Sequence, residues 1–257
     1  MYQMLVLSLF LWSCIFLSPT EPVESTTVSE SIKSDTIPLL QQPIAVDSKA
    51  FYQQYERLRL NTHLKQFHCQ ALYDQGFAKD SLLAFAAVYL HHAIRDNICP
   101  FWYGTPWDYN GYTALPRQGT IACGYLVSTT LQHSGVKVNR YKLAQLYSHA
   151  IVTSICGEAL TITGFENFKK HLSALPDGLY VVGLDNHVGW ISIVGNSMTF
   201  IHSSYITPGV ACSESIDQSI VLPLSQRFVL GAMDKNSPAV SSWLKGHPLA
   251  LTTTIRP

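Results

Sequence analysis

The chain has 257 residues, 47% of them apolar and only 13% charged, with 17 basic residues balancing 17 acidic ones. A chain of this size buries a substantial core as one compact domain with a smaller appendage, which excludes two large domains. The zero net charge, with no basic stripe on any predicted helix, excludes the electrostatic footprint of a nucleic-acid binder, so no nucleic acid is expected as a partner.

The first predicted element is the apolar run Met1 to Leu17, too short to span a membrane comfortably and placed like the core of a signal peptide. Residues 1–19 are read as a signal peptide or lipoprotein signal, and the protein as exported to the cell envelope or periplasm. No Lys or Arg precedes the run, and no Ala-x-Ala site follows it. Leu11-Trp-Ser-Cys14 is similar to a bacterial lipobox, which makes Cys14 a candidate membrane tether; without lipidation the chain is expected to be secreted. Residues 20–47 are polar and Ser/Thr-rich, and read as a flexible linker.

From Ser48 to about Gln75, Tyr52, Tyr55, Leu58, Leu60, Leu64, Phe67 and Leu72 recur at roughly helical spacing. A second helix, capped near Asp80 or Ser81, carries Leu82, Leu83, Phe85, Ala86, Tyr89, Leu90 and Ile94. Residues 48–98 thus read as a helical appendage. His91-His92 is a surface or partly packed pair, because adjacent helix positions point about 100° apart and no carboxylate stands at metal spacing. Neither these histidines nor any Cys-x-x-Cys pair calls for a metal, and no cofactor is expected.

The run Cys99-Pro-Phe-Trp-Tyr-Gly-Thr-Pro-Trp-Asp-Tyr-Asn-Gly-Tyr112 has too many turn residues for regular structure and too many aromatics for disorder. It reads as an ordered loop that either shapes a cleft, through Trp107, Tyr109 and Tyr112, or plugs the edge of the core. Small residues then deliver Cys123 to the first turn of an apolar helix that ends at Gly135. Unpaired backbone N–H groups and the helix dipole favour a thiolate there, and the N–H of Cys123 is placed to hold an oxyanion, with a second donor expected from the aromatic loop.

A third helix is predicted from Arg140 to about Ile155, and Thr163-Gly-Phe-Glu166 looks like a capping box opening a fourth through Leu175. Strands follow: Leu179 to Leu184, His187 to Val194, Met198 to Ser203, Ser219 to Leu222 and Arg227 to Gly231. Helices first and a strand meander second make an α+β domain over residues 99–235, with 236–257 as a C-terminal tail. In an oxidising compartment Cys69, Cys99, Cys156 and Cys212 allow two disulfides in three connectivities, or none on a reducing side, with Cys123 the thiol left over.

The two His-bearing strands form a hairpin if Gly195-Asn196 is its two-residue turn. Pairing Val194 with Ser197 then sets Gly189 opposite His202 and puts His187 and His202 on one face as diagonal neighbours, about 7 Å apart or less at Cβ. A three-residue turn would throw them onto opposite faces. In this register His187 serves as base to Cys123 and His202 orients His187. Asp185, a competing acidic partner, reads as a turn residue.

Three motifs in this order resemble the NlpC/P60 family of papain-like cysteine peptidases. Thr105-Pro-Trp-Asp-Tyr-Asn-Gly111 is similar to the family's Thr-Pro-Tyr-x-Trp-Gly-Gly, and Cys123-Gly-Tyr-Leu-Val127 to its Asp-Cys-Ser-Gly-Leu-Val. His187-Val-Gly-Trp-Ile191 and Phe200-Ile-His-Ser-Ser204 are similar to its His-Val-Gly-Ile-Tyr and Phe-Ile-His-Ala-Ser. The resemblance covers roughly residues 101 to 232. It implies a papain-like fold with the nucleophile helix packed on an antiparallel sheet, with Cys123, His187 and His202 as nucleophile, base and orienter. It implies hydrolysis of amide bonds in peptidoglycan stem peptides, while relatives carry out other amidase or acyl-transfer reactions. The chain departs from the pattern at Ala122, where the family has Asp, at Gly124-Tyr125 in place of Ser-Gly, and at Trp107 in place of the loop tyrosine. Those altered shoulders leave a non-catalytic peptide-binding module as the alternative reading.

Overall fold

A computed structural model describes residues 48–252. The expected leader, linker and tether at Cys14 lie outside the described residues. Helix α1 (Ser48–Asp74) buries Tyr55, Thr62, Gln66 and Cys69, which recur at steps of seven, four and three and so share one face. Leu60, Leu64 and Phe67, predicted to belong to the apolar stripe, face solvent instead. Helix α2 (Lys79–His92) runs through a π-helical turn, Ala93–Ile98, into the short helix α3 (Cys99–Trp102). These first helices share one hydrophobic core with the rest of the chain: Cys69, Leu83, Leu90 and Ile94 pack in the same cluster as Val127, Trp190 and Trp243.

Helix α4 (Cys123–His133) begins where sequence patterning places it, after Ala122 in extended conformation, and ends at Ser134 and Gly135. The predicted third helix is broken in two, α5 (Arg140–Ala144) and α6 (Ser148–Cys156), with extended Tyr147 between them. The break lets Ser148 at the start of α6 donate its hydroxyl proton to the Leu184 carbonyl at 2.8 Å. The predicted fourth helix is α7 (Phe165–Leu172), shorter than expected and without a side-chain cap on Gly164. Thr163, assigned to its capping box, ends a strand instead.

Six antiparallel strands form one sheet in the order β1 (Leu160–Thr163), β6 (Arg227–Ala232), β2 (Gly178–Gly183), β3 (Val188–Val194), β4 (Ser197–Ser203), β5 (Ala211–Ser215). The two edge strands, β1 and β5, were not expected. Both are short: β1 alternates Leu160 and Ile162 with threonines over only four residues, while β5 is largely polar with no hydrophobic alternation and takes its order from pairing with β4. Ser219 to Leu222, expected as a strand, is irregular. The Ser219 hydroxyl accepts the Leu222 N–H at 3.2 Å, and Pro223, in the short helical turn Leu222–Leu224, has no N–H for a ladder.

The sheet is covered on both faces, and the period of two along β3 assigns each side chain to a layer. Trp190 joins α4, α6 and helix α8 (Pro238–Lys245) on one face, and its indole N–H donates to Thr130 Oγ1 at 3.0 Å. Ile191 and Ile193 join α7 on the other, where the Phe168 and Phe228 rings stack at 4.3 Å. The segment expected as a C-terminal tail therefore contributes to the core through α8, with Trp243 fully buried. The fold is α+β, and the described residues form one compact unit. Among the described residues no helix is long and apolar enough to cross a membrane.

Candidate active site

The hairpin decides the site. Val194 pairs with Ser197 and Trp190 with Ile201, so Gly195-Asn196 is the two-residue turn and the register is the one that puts both histidines on one face. His187, one residue before β3, points Nε2 at His202 Nδ1 at 2.9 Å, with the two rings nearly perpendicular. Gly189 makes this approach feasible: a Cβ there would lie 2.5 Å from the Phe200 ring and 3.0 Å from His202 Cβ. His187 is almost fully buried and His202 completely so.

A further partner lies on the edge strand. Glu214 on β5 brings Oε1 to 3.2 Å from His202 Nε2. A carboxylate only accepts, so the Nε2–H of a neutral His202 ring donates to it. Nδ1 of His202 is then an acceptor, His187 donates to it from Nε2, and the lone pair of His187 falls on Nδ1. The network thus assigns His187 the tautomer a general base needs. Burial works to raise the Glu214 pKa, but hydrogen bonds from His202 and Ser219 hold it below the usual carboxylate value.

Cys123 stands at the first position of α4, half-buried, and shares a cavity of about 580 Å³ with His187, Val188, Tyr147, His149 and Arg227. The volume falls in the range of small-molecule and peptide pockets. Burial pushes the Cys123 thiol up, against the pull of the N–H groups of Val188, Gly124 and Cys123 itself. This corrects the expectation of a thiolate from the helix start alone: desolvation of the anion outweighs the backbone donors in the substrate-free protein. Burial likewise holds His187 well below the ordinary histidine value. Burial thus disfavours both the Cys123 thiolate and the His187 imidazolium, and among the described residues no hydrogen bond joins the two side chains.

The aromatic loop sits apart from the cavity. Tyr109 is 81% exposed. Tyr112 packs against Tyr125 and Tyr141, and its carbonyl accepts from the buried Arg140 at 2.8 Å. Trp107 lies beside Tyr205, whose ring is 5.2 Å from that of His187. None of the three lines the cavity, and no loop donor joins Cys123 there. The loop's buried ring is Trp102, which donates to Tyr55 Oη at 2.7 Å, while that hydroxyl donates to His133 Nδ1 at 2.7 Å.

The departures beside Cys123 have physical reasons. A Cβ on Gly124 would lie 2.6 Å from the carbonyl oxygen of Ala144, so the start of α4 packs on the end of α5 without room for a side chain. Tyr125 completes the tyrosine cluster around Arg140, whose guanidinium lies 4.3 Å from the Tyr141 ring centre. Asp185 is a turn residue: its carboxylate accepts the Gln226 N–H at 2.8 Å. His91 is buried on Ser192 Oγ at 2.9 Å, while exposed His92 bonds Asp96. All five described cysteines are free thiols. Sequence patterning missed Glu214 and Tyr205; the only available signal was a carboxylate in a polar segment after the His202 strand.

Three buried histidines make stability pH-dependent. Burial, followed by the Arg59 and Arg140 charges, lowers His133 to about 3, and burial followed by Arg95 lowers His91 to about 4. His187 is lowered as well. Unfolded histidine takes up a proton near pH 6.5, so below that pH the unfolded chain binds more protons than the folded one. The stabilisation is complete above about pH 6.5 and is lost as the pH falls toward the folded values. Urea unfolding between about pH 7 and pH 5 is expected to show stability falling by up to about 1.4 kcal/mol per pH unit for each histidine held neutral. A flat profile would contradict it.

Comparison of the chain with protein-family models, with curated proteins and with solved structures gives no match in any of the three.

Proposed function

We propose that the protein is an exported thiol-dependent peptidase or amidase of papain-like, NlpC/P60 type, acting on amide bonds in peptidoglycan stem peptides. The observation that carries this reading is the Glu214, His202, His187 relay, whose last ring lines the same cavity as a thiol at a helix start. With a substrate carbonyl in the cavity, Cys123 Sγ attacks carbon as its proton passes to His187 Nδ1. The Cys123 N–H faces the developing oxyanion. His187 then returns the proton to the departing amine, and water hydrolyses the thioester by the reverse proton path. Arg227 on the cavity wall offers a guanidinium to a carboxylate of the peptide, a group abundant in stem peptides. Because burial disfavours both the thiolate and the imidazolium, proton transfer is expected to accompany attack instead of preceding it.

Glu214 is a positioning residue in this scheme. Glu214→Gln leaves the side chain's shape but loses the charge that fixes the tautomer, so kcat is expected to fall about tenfold or more with KM and thermal midpoint little changed. Equal loss in kcat and in stability would assign Glu214 a structural role alone.

The lack of a bond between Cys123 and His187 favours one rival, a peptide-binding module on the same fold. Purified muropeptides incubated with wild type and Cys123→Ala, with new termini identified by mass spectrometry, separate the readings. Cleavage that depends on Cys123 supports the peptidase, binding without cleavage supports the module, and a transferred acyl group would reveal an acyltransferase.

A further inference from the structure

Cys212 and Glu214 stand two residues apart on β5, so both side chains leave the same face of the sheet edge. His202 is the register partner of Cys212 on β4. An imidazole nitrogen, a thiol sulfur and a carboxylate oxygen thereby converge within 4.8 Å of one another. His202 Nε2 is 3.6 Å from Cys212 Sγ and 3.2 Å from Glu214 Oε1. A tetrahedral zinc ion, with Zn–N and Zn–O near 2.0–2.2 Å and Zn–S near 2.3 Å, spaces its ligands at about 3.6 Å for N to S and about 3.4 Å for N to O. Both distances lie close to that tetrahedron's edges, and the sulfur and the carboxylate oxygen are within 4.8 Å of each other, so closing the set needs only small side-chain movements. His202 is fully buried and locked by stacking on Phe200 at 4.1 Å, while Cys212 and Glu214 are partly exposed and give an ion a path in from the sheet edge.

We propose that His202, Cys212 and Glu214 form a binding site for a borderline-soft divalent cation of the zinc class, with water or solute as fourth ligand. The thiolate disfavours hard cations such as magnesium. On binding, the Cys212 proton leaves to solvent as the metal–sulfur bond forms. The proton on His202 Nε2 gives way to the metal and is carried on Nδ1 instead. His202 then donates to His187 Nε2, and the single proton of neutral His187 sits on Nδ1, where the lone pair was. Resting on the peptidase reading, this makes the ion an inhibitor: it reverses the relay and removes the acceptor for the Cys123 proton without touching Cys123.

The test is a titration of the whole chain with Co²⁺, read by the thiolate-to-cobalt charge-transfer absorption, and with Zn²⁺ in competition. Wild type and Cys123→Ala are each expected to bind one equivalent with the band present, and Mg²⁺ not to compete. Cys212→Ser is expected to lose the band, and both it and Glu214→Gln to bind at least about tenfold more weakly. Circular dichroism confirms that each variant is folded. A band that survives Cys212→Ser and vanishes in Cys123→Ala would place the ion on the other thiol and overturn the site, as would no binding by folded wild type. The titration reads the site whether or not hydrolysis is found. Where it is found, Zn²⁺ is expected to inhibit wild type at least about tenfold and Cys212→Ser far less; equal inhibition of both would overturn the switch.

Discussion

Cys123→Ala is expected to reduce stem-peptide hydrolysis by about 10⁴-fold or more, the scale on which a nucleophile's loss is felt when base and nucleophile act as one unit. The reason lies in how little else at this position does chemistry. His187 has its Nε2 committed to His202, and Asp185 on the cavity wall has its Oδ2 engaged by the Gln226 N–H. The substitution removes one sulfur from a half-buried position at a helix start, so the unfolding free energy is expected to change by no more than about 1 kcal/mol. Product release from purified muropeptides, followed beside urea unfolding of the same two proteins, checks both parts. Equal turnover by wild type and variant would remove Cys123 from the mechanism.

Trp243→Ala is expected to destabilise the fold by about 3–5 kcal/mol, the cost of deleting a buried aromatic side chain, and a large share of a typical domain's stability. Trp243 is fully buried, its indole N–H donates to the Ser134 carbonyl at 3.0 Å, and its ring lies 5.4 Å from that of Tyr89. One side chain therefore ties α8 to the end of α4 and to α2. Its removal leaves a cavity and an unpaired carbonyl at the end of α4. Urea unfolding followed by tryptophan fluorescence and circular dichroism measures the loss. A change below about 1 kcal/mol would return residues 236–257 to the status of a dispensable tail.

The most local features were readable from the chain. Cys123 at a helix start followed from small residues before an apolar run, and Gly195-Asn196 between two alternating segments gave the turn, hence the register that joins His187 to His202. The β5 strand could not be read in this way: Ala211-Cys-Ser-Glu-Ser215 carries no hydrophobic alternation, and its order comes from β4. The relay residue Glu214 and the His202, Cys212, Glu214 trio were hidden with it, because no spacing within one segment expresses a cluster made by strand pairing. The aromatic loop shows the reverse case. Its composition announced an ordered element, but whether Trp107, Tyr109 and Tyr112 faced the cavity depended on the tyrosine cluster around Arg140 and on Tyr205.

By itself the sequence determined the α+β class, the helix start under Cys123 and the hairpin register, all set by period, caps and turns within a few residues of one another. Tertiary structure alone decided the desolvation of the site and the third partner of the relay. Burial, which pushes the Cys123 thiol up and His187 down, and the pairing that brings Glu214 to His202 both depend on residues distant along the chain. Periodicity reports which face of an element is buried, but not what is buried against it.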